Sequence, residues 1–329
     1  MIDKRGIWAA VLLVWSVVLA NVAAPADEPL VPLSELGSAK YRGEVGGLYG
    51  DGRNEPPVAQ RKLAKEAIAR IQPLDATGAP SAVGKIVLLS IGMSNTTQEF
   101  SAFVRLAGRD GRKRPELVLV DGAQGGADAA AWAGGQGRQR RTRSDPWSAV
   151  DARLRAAGVT RAQVQVAWIK QALAGPARYG ALPGHVTALE DALDKIVRKA
   201  RQEYPDLRVV FLSSRIYGGY ATTGLSPEPY AYESAFAVRG LIARQVGGKA
   251  ELNSDAKRGA VEAPVLLWGP YLWADGGTPR RADGLVWRRD DFREDGTHPS
   301  DRGRRKVAEQ MLEFFTQDEF GKAAFCGRE

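Results

Sequence analysis

The sequence predicts an α/β fold, a three-layer α/β/α sandwich with a central, mostly parallel five-stranded sheet. Two observations predict it. Apolar, β-branched runs of strand length recur between residues 85 and 269 without polar alternation, as expected of strands buried on both faces. Segments with apolar residues at helical spacing lie between these runs, and strands that alternate with helices favour a parallel sheet.

The predicted strands are short and follow one another at intervals that leave room for helices. In chain order they are Lys85–Gly92, Glu116–Gly122, Val164–Ile169, Leu207–Ser214 and Pro264–Gly269. The clearest helix follows the third strand, where apolar residues from Val186 to Ala200 form one face before Pro205. After the first strand, the spacing of Thr96 and Glu99 predicts a capping box at the start of another helix.

The N-terminus differs in composition from the rest of the chain. Lys4 and Arg5 precede an apolar run, and small residues follow up to Ala26, so residues 1–26 are predicted to be a secretory signal peptide. The alternative is an uncleaved membrane anchor, since the run is short for a membrane span but close to the needed length. Residues 27–80, rich in Gly and Pro, are predicted to form an N-terminal extension, and residues 81–329 the main domain.

Composition narrows the functional classes. The 329 residues carry a net charge of +8 and one cysteine, Cys326, so a disulfide within the chain and a multi-cysteine metal site are excluded. Arginines cluster in residues 137–145 and 301–306, but no aromatic-interleaved basic motif or zinc spacing accompanies them. Nucleic acid is therefore not an expected partner.

Polar residues follow the first three predicted strands, where ligands bind in open α/β sheets. Ser94 lies in a turn just ahead of a predicted helix, whose N-terminus favours a developing negative charge. Closely spaced glycines after the second strand, Gly125 among them, allow backbone amides to approach a ligand. Lys170 and Gln171 follow the third strand.

A second polar motif precedes the last predicted helix. Asp295 and His298 are three residues apart in a turn that contains Gly296, and Ser300 is a plausible N-cap for the helix that follows. The carboxylate can thus orient the imidazole, which makes His298 a candidate base for a serine hydroxyl. The only other histidine, His185, is expected to be a helix-entry residue.

These motifs, in this order, resemble the SGNH or GDSL-like hydrolase superfamily. Ser94 in IGMSN resembles its nucleophile block, Gly125 in GAQGG its glycine block, and Asp295 and His298 in DGTH its closing block. The likeness covers roughly residues 85–315. It implies an SGNH or flavodoxin-like sandwich, with Ser94 as nucleophile, His298 as base and Asp295 as its partner. The sequence departs from the family's pattern at Met93, where the family usually has an acidic residue.

The resemblance further implies an oxyanion hole. Its donors would be the backbone amides of Ser94 and Gly125 and, at the position of the family's asparagine, the side chain of Gln171. Lys170 is the close competitor for that third position and is otherwise a candidate substrate-binding residue.

Aromatic residues after the fourth strand suggest the substrate. Tyr217 and Tyr220 lie in an irregular loop and are predicted to bind substrate by stacking on sugar rings, the alternative being that they pack the loop onto the domain. The predicted function is therefore that of an exported serine esterase that removes acyl groups, acetyl above all, from a small-molecule or polysaccharide ester. It needs no metal or organic cofactor, and a membrane is a partner only if the N-terminal segment is uncleaved. The alternatives are an O-acyltransferase with the same triad and a non-catalytic polysaccharide-binding protein.

Overall fold

The computed structural model describes residues 30–135 and 145–327. A two-residue hairpin, β1 (Lys40–Tyr41) and β2 (Glu44–Val45), precedes the main sheet. The main strands are β3 (Ile86–Gly92), β4 (Leu117–Asp121), β5 (Val164–Lys170), β6 (Val209–Ser213) and β7 (Val265–Trp268). Each corresponds to one of the five runs that the sequence predicts.

The five main strands form one parallel sheet in the order β4-β3-β5-β6-β7. The chain passes from β3 to β4 on one side and then returns to β5 on the other side of β3. This reversal opens a crevice beyond the carboxyl end of β3, the place where ligands bind in open α/β sheets.

Helices cover both faces of the sheet. They are α1 (Val58–Ile68), α2 (Ser94–Ala107), α3 (Ala129–Trp132), α4 (Pro146–Ala156), α5 (Gly184–Glu203), α6 (Tyr230–Val246), α7 (Asp301–Gln317) and α8 (Glu319–Phe325). Apolar residues of α3, α4, α5 and α6 form one core with Val87, Leu89 and Ile91 of β3. Those of α1, α2, α7 and α8 form a second core with Ile86 and Leu88. Alternate residues of one strand thus face two cores, and the predicted three-layer fold is confirmed.

The start of α2 differs from the prediction. The helix begins at Ser94, with Met93 as its N-cap, and Thr96 and Glu99 do not form a capping box. The Thr96 hydroxyl donates to the carbonyl of Lys170 at 2.7 Å, and Glu99 is bonded to the Lys170 ammonium. Both side chains are fully buried, so contacts with β5 replace the local cap.

Residues 30–80 pack against the sheet. Leu33 is buried, and its N–H donates to the hydroxyl of Tyr271 at 2.9 Å. Gln60 of α1 donates from Nε2 to the carbonyl of Leu266 in β7 at 2.8 Å. The division of the chain at residue 80 remains a prediction.

The predicted signal peptide lies outside the described residues, as does most of the arginine cluster at 137–145. In the part of the chain that the structure describes, no helix has both the length and the apolar character needed to cross a membrane.

Candidate active site

Ser94 stands at the N-terminus of α2, immediately beyond the carboxyl end of β3. Gly92 ends the strand and pairs with Lys170 of β5. A Cβ on Gly92 would lie only 2.5 Å from the carbonyl oxygen of Lys170, so a larger residue there would push the two strands apart. Met93 follows as the N-cap of α2, and Ser94 is the first residue of the helix. At this end the first helical N–H groups lack partners within the helix.

The structure brings Ser94 together with the Asp-His turn. Ser94 Oγ lies 2.8 Å from Nε2 of His298, and Nδ1 of the same ring lies 2.5 Å from Oδ2 of Asp295. With the ring proton on Nδ1 facing the carboxylate, Nε2 accepts the serine hydroxyl. The three side chains therefore form one continuous hydrogen-bonded chain.

The turn is organised around the carboxylate of Asp295. Its Oδ1 accepts the backbone N–H groups of Thr297 at 3.0 Å and His298 at 2.9 Å. Burial by itself raises the pKa of Asp295, but the hydrogen bonds from the His298 ring and these backbone groups outweigh it, and the net shift lowers the pKa. Asp295 is consequently ionised when it orients the imidazole.

Gly296 gives the turn its shape. Its φ is +60°, a conformation that favours glycine, and a Cβ would lie 1.7 Å from the carbonyl oxygen of Tyr220. The N–H of Thr222 donates to the carbonyl of Asp295 at 3.0 Å. On the other side Ser300 caps α7, accepting the N–H of Gly303 at 3.4 Å as the sequence predicts. The turn is thus held between the loop after β6 and α7.

A second contact joins the two halves of the site. Asn95 follows Ser94, and its Nδ2 donates to the carbonyl of Thr297, the residue before His298, at 2.9 Å. Both residues are buried. This bond aligns the N-terminus of α2 with the Asp-His turn.

The glycine loop after β4 lies against Ser94. The N–H of Gln124 donates to the carbonyl of Gly92 at 2.9 Å, which fixes the loop to the end of β3. A Cβ on Gly125 would lie 3.9 Å from the Cβ of Ser94. The backbone of Gly125 therefore borders the serine, as an oxyanion hole requires.

The third predicted oxyanion donor does not lie in the pocket. Gln171 is 2% exposed and does not line the pocket that contains Ser94. Neither its Oε1 nor its Nε2 has a hydrogen-bond partner among the described residues. Nothing in the structure explains these unpaired groups. The role of Gln171 as an oxyanion donor stays a prediction.

The predicted substrate-binding role of Lys170 is corrected by its burial. The side chain has no exposed surface, and its ammonium donates to both carboxylate oxygens of Glu99 at 2.5 and 2.6 Å. Burial lowers the pKa of Lys170 to about 8, while Glu99 acts in the opposite direction. The ion pair links β5 to α2. Because Glu99 already neutralises its charge, Lys170 does not serve as a substrate-binding cation.

Tyr217 and Tyr220 pack against aromatic rings, and their role in stacking on sugar rings stays a prediction. The two rings pack edge to face at 5.2 Å, and Tyr220 packs on Phe292 at 5.7 Å. Neither residue lines the pocket at Ser94. These contacts agree with the alternative, that the two residues pack the loop onto the domain. The other histidine, His185, is the second residue of α5, is buried, and does not line this pocket.

The pocket itself contains residues that the sequence analysis missed. It is a cavity of about 350 Å³ lined by Ser94, His298 and Asn95, by apolar residues such as Leu173 and Leu225, and by Arg215. Arg215 directly follows the fourth predicted strand, so a charge at the carboxyl end of a buried strand was the signal that could have identified it. Asn95 carried no such signal, because its partner Thr297 is 202 positions away.

The fold and the site together define a class: a three-layer α/β/α protein with a Ser-His-Asp chain at the carboxyl edge of its parallel sheet, an arrangement found in serine hydrolases. Within the described residues, no cluster of three or more histidine, cysteine or acidic side chains is placed to hold a metal ion.

The chain is similar in structure to several solved proteins. One is a putative acylhydrolase from Bacteroides fragilis, with 14% identity and a TM-score of 0.38 over 82% of this chain and all of that one. Another is a carbohydrate esterase family 2 enzyme from Corynascus thermopiles, with 13% identity and a TM-score of 0.37 over 75% of this chain and 68% of that one. A third is an extracellular lipase from Streptomyces rimosus, with 13% identity and a TM-score of 0.29 over 69% of this chain and 99% of that one. The sequence matches no protein-family model and no curated protein.

Proposed function

We propose that the protein is a serine ester hydrolase of the SGNH type, with Ser94 as nucleophile, His298 as base and Asp295 as the group that orients the base. The observation that carries the proposal is the hydrogen-bonded chain from Ser94 through His298 to Asp295, of which Ser94 and His298 line a ligand-sized cavity. A binding protein without catalysis has no need for this alignment.

The reaction follows from the positions of the three groups. As Ser94 Oγ attacks the ester carbonyl carbon, His298 Nε2 takes its proton, and the carbonyl π electrons move onto the carbonyl oxygen to give a tetrahedral oxyanion. Asp295 stabilises the imidazolium that forms. The imidazolium then gives the proton to the departing alcohol, leaving an acyl-enzyme. Water, deprotonated by the same nitrogen, attacks the acyl carbonyl and releases the acid.

The oxyanion of the tetrahedral intermediate is proposed to lie against backbone amides. The N–H of Ser94 is at the helix N-terminus, and the Gly125 backbone borders the serine. Each such donor is typically worth about 3 kcal/mol of barrier.

The size and lining of the cavity favour a short acyl group. About 350 Å³ is near the small end of ligand pockets, typically about 300–1,000 Å³. Ala172, Leu173 and Ala174 present small and apolar surface to it, which suits an acetyl or similar group. A carbohydrate as the alcohol remains a prediction from the sequence. Acetate release from O-acetylated polysaccharides, compared with that from simple acetate esters, tests it.

Labelling with a fluorophosphonate probe tests the nucleophile. We expect the probe to react with the unchanged protein and with Ser148→Ala, which removes an exposed serine on α4. It should not react with Ser94→Ala, and His298→Ala should be labelled far more slowly, because the serine then has no base. Labelling that persists in Ser94→Ala would assign the nucleophile to another residue, and no labelling of the unchanged protein would indicate a binding protein.

Product analysis tests the acyl acceptor. A hydrolase releases free acid at a rate independent of added sugar. If an added acceptor glycan takes up most of the acyl group, the same triad serves an acyltransferase.

Export is part of the proposal and rests on the N-terminal sequence. We expect protein recovered outside the cytoplasm to begin near Asp27. An intact N-terminus on membrane-bound protein would identify an anchor instead.

A further inference from the structure

Arg215 is a buried cation in the pocket that contains Ser94 and His298. It follows β6 at the carboxyl edge of the sheet and is 2% exposed. Its backbone N–H donates to Ser234 Oγ at 3.1 Å, which anchors the residue to α6. Its Nη1 lies 4.0 Å from the sulfur of Met93, the residue that precedes the proposed nucleophile. The guanidinium therefore lies beside the proposed reaction centre.

The guanidinium has no direct anionic partner in the described part of the chain. Its Nε has no hydrogen-bond partner there, and the sulfur of Met93 is a weak acceptor. Other buried cations of the protein are paired: Lys170 with Glu99, and Arg280 with Asp283. Arg215 differs from them in facing a cavity.

The three carboxylates whose charges act on Arg215 are each hydrogen-bonded to other groups. Glu228 accepts the N–H groups of Gly218, Tyr232 and the Trp273 ring, each at 2.8 Å. Asp295 is bonded to the His298 ring, and Glu99 to Lys170. Burial lowers the pKa of Arg215, whereas the charges of Glu99, Glu228 and Asp295 raise it. The group stays cationic, since arginine does not lose its proton in proteins.

A buried charge without a direct partner is unfavourable until a counter-charge arrives. A guanidinium offers planar, paired donors that match a carboxylate. Asp128 also lines the cavity, but its two carboxylate oxygens accept the N–H groups of Ala131 at 3.1 Å and Ala174 at 3.0 Å. Among the described residues that line the cavity, Arg215 is the one lysine or arginine, so an anionic group that enters would be attracted to it.

We propose that Arg215 binds a carboxylate of the ester substrate, so that the protein prefers esters that carry a carboxylate near the scissile bond. This inference rests on the proposed hydrolase function and goes beyond it by defining a substrate class.

Two matched pairs of esters test the preference. The first pair is 4-acetoxybenzoate, which carries a carboxylate on the leaving alcohol, and its uncharged methyl ester. The second pair is mono-4-nitrophenyl succinate, which carries a carboxylate on the acyl side, and its methyl ester. We expect the unchanged protein to have a kcat/KM about ten-fold or more higher for the acid of at least one pair, through KM, as expected of a charged hydrogen bond. Equal values for acid and methyl ester in both pairs would overturn the inference.

Substitutions assign the preference to Arg215. Arg215→Met should reduce kcat/KM for the acid at least ten-fold more than for its methyl ester, and Arg215→Lys should retain part of the preference. The control Arg105→Met removes an exposed arginine of α2 and should leave the ratio unchanged. A loss of the same factor for acid and methyl ester would overturn the inference, because it would indicate a role in folding or chemistry. If Arg215→Met does not fold, a ratio in Arg215→Lys equal to that of the unchanged protein overturns it as well.

Calorimetry on Ser94→Ala separates this inference from the proposed function. In this variant the acid of the pair that shows the preference, or of at least one pair if neither is turned over, should bind more tightly than its methyl ester, and adding Arg215→Lys should reduce the difference. Such binding without turnover in the unchanged protein would contradict the hydrolase while supporting the anion site. Turnover by the unchanged protein, together with equal binding of acid and methyl ester by Ser94→Ala, would support the hydrolase and contradict the anion site.

Discussion

The side chain of Asn95 donates to the carbonyl of Thr297 at 2.9 Å and thereby ties the residue after Ser94 to the residue before His298. The contact spans 202 positions of sequence and is buried on both sides. It sets the distance between the serine hydroxyl and the imidazole without taking part in proton transfer. Asn95 is thus a positioning residue for the proposed reaction.

Asn95→Ala should lower kcat for 4-nitrophenyl acetate by about 10- to 100-fold, because a shift of about 1 Å between reacting groups can cost that much. It should also lower the free energy of unfolding by about 1–3 kcal/mol, because the buried Thr297 carbonyl loses its donor. Steady-state kinetics and chemical denaturation measure the two effects.

The matched control is Asn253→Ala. Asn253 donates to the carbonyl of Ala260 at 2.7 Å in a loop before β7, so this variant should lose stability and keep kcat. An Asn95→Ala protein that is equally destabilised but has an unchanged kcat would refute the positioning role.

Asp295→Asn should lower kcat by roughly 10³- to 10⁴-fold, as removal of the orienting charge does in serine proteases. The asparagine oxygen can still accept the N–H groups of Thr297 and His298, so the turn should fold, while the ring loses the acceptor that holds its proton on Nδ1. The comparison variant is Asp301→Asn, which changes an exposed carboxylate of α7 and should be fully active. A loss of less than ten-fold in Asp295→Asn would mean that the carboxylate does not orient the base.

Lys170→Met should destabilise the fold by about 3–5 kcal/mol, because it leaves Glu99 as a buried charge without its partner. The double variant Lys170→Met, Glu99→Leu removes both charges and should recover most of that loss. Equilibrium denaturation of the single and double variants measures the difference. Equal stability of the two would show that the unpaired carboxylate is not the cause.

Tyr232→Phe tests a buried hydroxyl that has no hydrogen-bond partner among the described residues. At pH 7 the variant should be as stable as the unchanged protein or more stable by about 1 kcal/mol, because the unpaired hydroxyl is removed. Tyr271→Phe is the control. It should lose about 1 kcal/mol, because the hydroxyl of Tyr271 accepts the N–H of Leu33.

The same variant should change the alkaline limb of the stability curve. Burial raises the pKa of Tyr232 above its ordinary value, so above about pH 10 the unfolded tyrosine ionises while the folded one keeps its proton. The folded state then binds more protons, and stability falls as the pH rises. Tyr232→Phe should therefore lose less stability between pH 9 and 11 than the unchanged protein. Parallel curves would contradict the assignment.

The sequence by itself determined the strands, their alternation with helices and the Asp-His turn. Strands buried on both faces require continuous apolar runs, and this requirement is visible in any one segment. Asp295 and His298 are three residues apart, so their contact is a property of one turn. The fold class was therefore predictable, and so was the proximity of these two side chains.

Only the tertiary structure decided which residues meet across the sheet. Ser94 and His298 are separated by 204 positions and come together because α2, which begins directly after β3, packs against α7, which follows the Asp-His turn. The same packing placed Lys170 in a buried ion pair and left Tyr217 and Tyr220 outside the lining of the pocket, while it brought Arg215 into that lining. A residue's position at a strand end is encoded locally, but the direction of its side chain depends on which neighbours neutralise or cover it, and those neighbours are distant in sequence.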